Sequence, residues 1–123
     1  MGKHQAVYAS AARTATPTAV TVQTGRYNFL HLAIRVTAAT ATPSVVCTVD
    51  GLDPVSGVYY NLLTSAALTE SGVPTTTILK VGPGLPVTSN VSANDVLPDT
   101  IRVTMTHADS DSITYVVGAN LYD

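Results

Sequence analysis

The chain of 123 residues holds one cysteine, no tryptophan, one phenylalanine, one glutamate and two lysines. Each scarcity closes off a class of protein. A lone Cys47 excludes an internal disulfide and any cysteine-built metal site, and it fits folding in a reducing cytoplasm. Six basic residues against eight acidic ones give a formal charge of −2, so no basic field exists to collect nucleic-acid phosphates. No apolar run approaches the ~20 residues of a membrane-spanning helix. Residues 1–13 lack the apolar block of roughly 7–15 residues that a signal peptide needs, so secretion by that route is not expected.

What the chain has in quantity is threonine, 19 residues, and valine, 17. β-Branched side chains are stiff and fit pleated sheets, whereas the straight-chain helix formers are the residues missing here. An all-β fold follows. At this length a single domain buries roughly two thirds of its surface on folding, enough for a core held by packing alone.

Alternation of apolar and polar residues begins after Pro17. Residues 19–24 end at Gly25. The next run places Leu30, Leu32, Ile34 and Val36 on one face and His31, Ala33, Arg35 and Thr37 on the other. Such a period of two marks a strand with one buried face. Val45, Cys47 and Val49 point inward in the following run. Asp50-Gly51, Asp53-Pro54 and Ser56-Gly57 then give three turn signals in quick succession, predicting a hairpin over 44–63 with a long tip. In its second half Val58, Tyr60 and Leu62 share one side, Tyr59, Asn61 and Leu63 the other. Residues 75–81 read as a strand. Gly82-Pro83-Gly84-Leu85-Pro86 breaks regular structure, and Val87–Val91 reads as a short edge strand. Ile101, Val103 and Met105 alternate cleanly, as do Ile113, Tyr115, Val117, Ala119 and Leu121. Seven or eight strands with turns every 8–12 residues or so predict a single antiparallel β-sandwich, jelly-roll or immunoglobulin-like, over residues 16–123. Residues 1–15 show no period of two. They read as an extended N-terminal arm that orders only against another chain, anchored by Val7 and Tyr8.

Chemistry is hard to find. Asp109 and Asp111 have the spacing of the first two ligands of a calcium loop, but the glycine and distal glutamate of that loop are missing, so the stretch reads as a hairpin turn. No spacing brings His4, His31 and His107 to one metal. No Gly-x-Ser-x-Gly elbow occurs. Cys47 falls on an inward face, as a small buried hydrophobe does. Gly82-Pro83-Gly84 is no phosphate loop, since proline removes amide donors and no lysine follows. The aspartates fall in turns, where aspartate is structurally favoured. The expectation is therefore a non-enzyme with no cofactor and no metal.

The outward positions are mostly Thr, Ala, Ser and Asn, although free sheets usually guard their edges with charge, above all lysine. Tyr59, Leu63, Val116 and Tyr122 are apolar residues on nominally outward sides, as suits an interface core. Other copies or a host lattice would cover such a surface.

The stretches DGLDPVSGVYYNLLTSAALT, VGPGLPV and NDVLPDTIRVTMTHADSDSITYVVGANLY resemble a group of small virion structural proteins of tailed bacteriophages. The most specific pieces are Asp53-Pro54-x-Ser56-Gly57-x-Tyr59-Tyr60 and Thr106-His107-Ala108-Asp109, and the likeness covers residues 28–123. It implies a β-sandwich bound to the particle as a capsid decoration (cement) protein, made in the host cytoplasm and carried on the capsid surface. Its partners would be the major capsid protein and further copies of itself, as a trimer, with no nucleic acid and no membrane. The alternative is a receptor- or carbohydrate-binding module on a tail or fibre, with Tyr59, Tyr60, Tyr115 or Tyr122 as stacking platforms. A third reading is a tail-tube or head–tail joining subunit.

Overall fold

In the computed structural model, which describes residues 2–123, each alternating run becomes a strand with its apolar side turned inward. The strands are β1 (Lys3–Arg13), β2 (Val20–Gln23), β3 (Phe29–Ala39), β4 (Val45–Asp53), β5 (Val58–Thr64), β6 (Thr75–Gly82), β7 (Ser92–Asn94), β8 (Thr100–His107) and β9 (Ile113–Tyr122). They form two sheets, one ordered β1-β9-β3-β6-β7 and the other β2-β8-β4-β5. All pairings are antiparallel except β6 with β7, which is parallel. The two sheets pack as a β-sandwich.

The core lies between the sheets. Leu30, Leu32, Ile34 and Val36 of β3 and Ile113, Tyr115, Val117, Ala119 and Leu121 of β9 meet Val45, Cys47 and Val49 of β4 and Ile101, Val103 and Met105 of β8. All are fully buried. Burying an aliphatic side chain of this size contributes about 1.5–3 kcal/mol relative to leaving it in water.

Three expectations need correction. The N-terminal stretch is not an arm: Lys3–Arg13 is a full edge strand of the larger sheet, paired with β9 from Lys3↔Leu121 to Arg13↔Ile113. Register shifts between Ala6 and Tyr8 and between Tyr8 and Ala11 erase its alternation, because a bulge adds an unpaired residue and turns the following side chains over. Val7 and Tyr8 therefore both point into the core, and Tyr8 crosses it to donate to the Val103 carbonyl of the facing sheet at 3.2 Å. The hairpin tip is shorter than expected, since β4 runs on through Asp53 and only residues 54–57 turn. The short edge strand is Ser92–Asn94 and not Val87–Val91; the Ser92 hydroxyl anchors it by donating to the Pro86 carbonyl at 2.6 Å.

Candidate functional site

The β4–β5 hairpin extends past the end of the packed core, and its register decides what it presents. Asp53 pairs with Val58, Leu52 with Tyr59 and Gly51 with Tyr60. Inside the tip the Asp53 carboxylate accepts from the Val55 amide at 3.0 Å and the Ser56 hydroxyl at 2.8 Å. Those bonds, the hydroxyl first, hold its pKa below the usual carboxylate range.

Tyr60 lies over Gly51. A side chain at position 51 would stand 2.9 Å from the Tyr60 Cζ and 2.7 Å from the Pro98 Cγ, so glycine makes room for the ring and for the proline beside it. Although this is the inward side of the hairpin, the ring remains 46% exposed. It forms one wall of a cleft of about 730 Å3, together with Leu52, Pro54 and the segment Val96–Thr100 that precedes β8. Two hydrogen bonds tie that segment to the turn after β2: the Thr24 amide donates to the Asp99 carbonyl at 2.8 Å, and the Thr24 hydroxyl donates to the Pro98 carbonyl. Asp53 and Asp99 are the charged residues lining the cleft, and no Lys, Arg or His is among its described lining residues. Val96 on the cleft wall, and Val55 and Val58 in the hairpin next to the lining residues Asp53 and Pro54, are each more than half exposed.

No family model matches this chain, and no curated protein or solved structure matches it. The case for this site therefore rests on its geometry.

The residues expected to form an interface are dispersed. Val7, Tyr8 and Leu63 are buried in the core. Leu63 turns inward because the β4–β5 register slips between Val49 and Asp50, leaving Leu62 as the extra residue. Tyr59 faces outward, half-covered by the Arg102 guanidinium, whose carbon sits 3.8 Å from the ring centre. Arg102 also pairs with Asp50 at 3.2 Å, and Asn61 donates to the same carboxylate at 3.3 Å. Val116 is half-buried on the outer face of the larger sheet, and Tyr122 ends β9 exposed. His4 and His31 each stand steeply tilted against the Tyr122 ring, whereas His107 lies at the opposite end against Tyr115, itself fully buried. Of the four tyrosines weighed as platforms, Tyr60 alone lines the cleft.

The remaining reactive groups are committed elsewhere. Burial pushes the Cys47 thiol up to about 12, which keeps it protonated and unreactive. Asp109 caps its own turn through the Asp111 amide, and Asp111 accepts from the Thr42 amide. Among the described residues no group of three or more His, Cys, Asp or Glu is placed to hold a metal ion. Sequence reading had Tyr60 among its candidate platforms but missed Val96 and Asp99, which line the cleft with it, and the exposed Val58. Counting back from a four-residue tip would have set Tyr60 opposite Gly51, which is a legible signal.

Proposed function

We propose that the chain is a structural subunit of a bacteriophage virion, a capsid decoration protein that bridges major capsid subunits on the particle surface as a homo-oligomer, a trimer in this reading. The observation that carries it is the set of exposed apolar side chains on the cleft and the adjoining hairpin, with Val96 71% exposed on the cleft wall and Val55 95% and Val58 58% exposed in the hairpin next to its lining residues Asp53 and Pro54. The charge-poor outer faces support it too. On the outer face of the smaller sheet Thr48 stands opposite Thr104, Thr106 opposite Val46 and Thr21 opposite Arg102, so that uncharged side chains hold most positions where a free sheet would carry lysine or glutamate. The resemblance of residues 28–123 to small virion proteins of tailed phages points the same way.

The work such a protein does is thermodynamic. Binding the closed shell in preference to free subunits stabilises the shell by mass action. Contacts to several subunits at once add avidity without requiring one tight interface. The test is co-sedimentation with capsids of the encoding phage that lack this protein, together with capsid melting. Saturable binding and a raised melting temperature are expected; a chain that stays in the supernatant and leaves melting unchanged refutes the proposal.

A second reading, a carbohydrate-binding module, draws on Tyr60 and two aspartates among the residues lining one cleft. It ranks lower because the other lining residues are leucine, valine and proline, with Thr100 alone adding a hydroxyl that already donates to Gln23, so a sugar finds few side-chain hydrogen bonds. Saturable binding on a glycan array would reverse that order.

A further inference from the structure

The hairpin carries two consecutive tyrosines that face opposite ways, and one of them already shows what its surroundings recognise. Tyr59 has a cation on its ring and a carboxylate beside it: Arg102 sits 3.8 Å from the ring centre and bonds Asp50 at 3.2 Å. Tyr60, on the other side of the same strand, is partly exposed and lines a cleft together with Asp53 and Asp99. Ring and acid recur there without a base.

Asp53 is occupied by its own turn, accepting from Val55 and Ser56. Asp99 is not: among the described residues no side-chain or backbone donor reaches its carboxylate, and only its backbone carbonyl is engaged, by Thr24. An exposed aromatic face beside free acceptors of negative charge attracts a cation and repels an anion. The walls of Leu52, Pro98 and Val96 suit the aliphatic stem of a long basic side chain, which packs its methylenes on apolar surface while its head reaches a charge.

Resting on the assembly reading above, we infer that the cleft receives an arginine or lysine side chain presented by an extended segment of the neighbouring capsid subunit, with Tyr60 and Asp99 as its seat. The exposed Val55 and Val58 of the adjoining hairpin then cover the residues flanking that cation. Charge complementarity selects this occupant: the seat is acidic, and no cation of this chain lines it among the described residues. A second copy of the chain and a neutral saccharide are the competing occupants.

The experiment measures binding of the wild type, Asp99→Asn, Tyr60→Ala and Tyr60→Phe to capsids of the encoding phage that lack this protein. All four are first shown to be folded by their melting curves, since both side chains lie at the surface. Asp99→Asn and Tyr60→Ala should each weaken binding about fivefold to thirtyfold, the range of a partly desolvated cation–ring or charge-assisted contact. Tyr60→Phe should stay within about threefold, because the ring face is retained. Added salt should weaken the wild type more than Asp99→Asn. Equal binding by wild type, Asp99→Asn and Tyr60→Ala overturns the inference while leaving the decoration reading in place. Absence of binding by the wild type overturns that reading instead. Self-association lost in Tyr60→Ala, or displacement from capsids by an oligosaccharide, assigns the cleft to another occupant and also overturns it.

Discussion

The guanidinium carbon of Arg13 lies 4.6 Å from the centre of the Tyr115 ring, and one of its nitrogens donates to the Tyr115 carbonyl at 3.0 Å. The same guanidinium serves two further carbonyls, those of Ala9 at 2.6 Å and Ala11 at 3.2 Å. Ala9 lies within the second bulge of β1 and Ala11 resumes the ladder to β9 after it. A planar fork with five donors can satisfy several acceptors at once and stack on a ring. Arg13 therefore holds the irregular edge strand onto its neighbour.

Replacing Arg13 with alanine should cost about 1.5–3 kcal/mol, the range for hydrogen bonds to a charged group, with the ring contact adding part of a further kcal/mol or so. Arg13→Lys should recover less than half of the loss, because an ammonium cannot span the three carbonyls. Urea unfolding monitored by circular dichroism reads both. A lysine variant as stable as the wild type would show that charge alone matters at this position.

Stability should fall on mild acidification because of His107. Its Nε2 pairs with the Tyr115 hydroxyl at 3.0 Å, and its Nδ1 is buried without a partner. Burial pushes its pKa below the usual value, Asp109 opposes that shift and Arg13 adds to it. The folded chain thus prefers the neutral ring, while the unfolded chain takes up a proton near pH ~6.5. The contribution is complete above the unfolded pKa and is lost progressively as pH drops through it towards the lower folded value. The urea midpoint should decline between about pH 7 and 5, and His107→Gln should flatten that decline. An unchanged slope in the variant would place the pH sensitivity elsewhere.

Gly51→Ala should destabilise by about 1–3 kcal/mol, the usual cost of overpacking, since the added methyl would press on Pro98 and on the Tyr60 ring. The clash is shared between the two, so Tyr60→Ala in the same chain should restore at least part of the loss. A double-mutant cycle measures that coupling. Strict additivity would mean that Tyr60 does not lie over Gly51 in solution.

The sandwich was legible wherever alternation ran unbroken. Residues 29–38, 101–106 and 113–121 read as strands with the correct face inward because their ladders are regular over most of their length. Legibility ended at bulges. Two of them hid β1 among small residues, and another turned Leu63 from the expected outer face to the core. Ser92–Asn94 was too short to show a period and is fixed by the Ser92 hydroxyl, a contact that no local pattern encodes. The cleft was hidden for another reason. It forms where residues 96–100 fold against the tip of a hairpin some forty positions earlier, a juxtaposition made by sheet order and not by spacing.

The placement of β9 between β1 and β3 bears on how the molecule is made. The strand that joins the first and third members of the larger sheet leaves the ribosome after both. Until it arrives, β1 has nothing to pair with and one side of β3 is bare. Closing such distant pairings is slow, and unpaired strands invite the wrong neighbour in the meantime. Nascent chains halted before residue 113 should therefore remain protease-sensitive along β1, with protection gained in one late step.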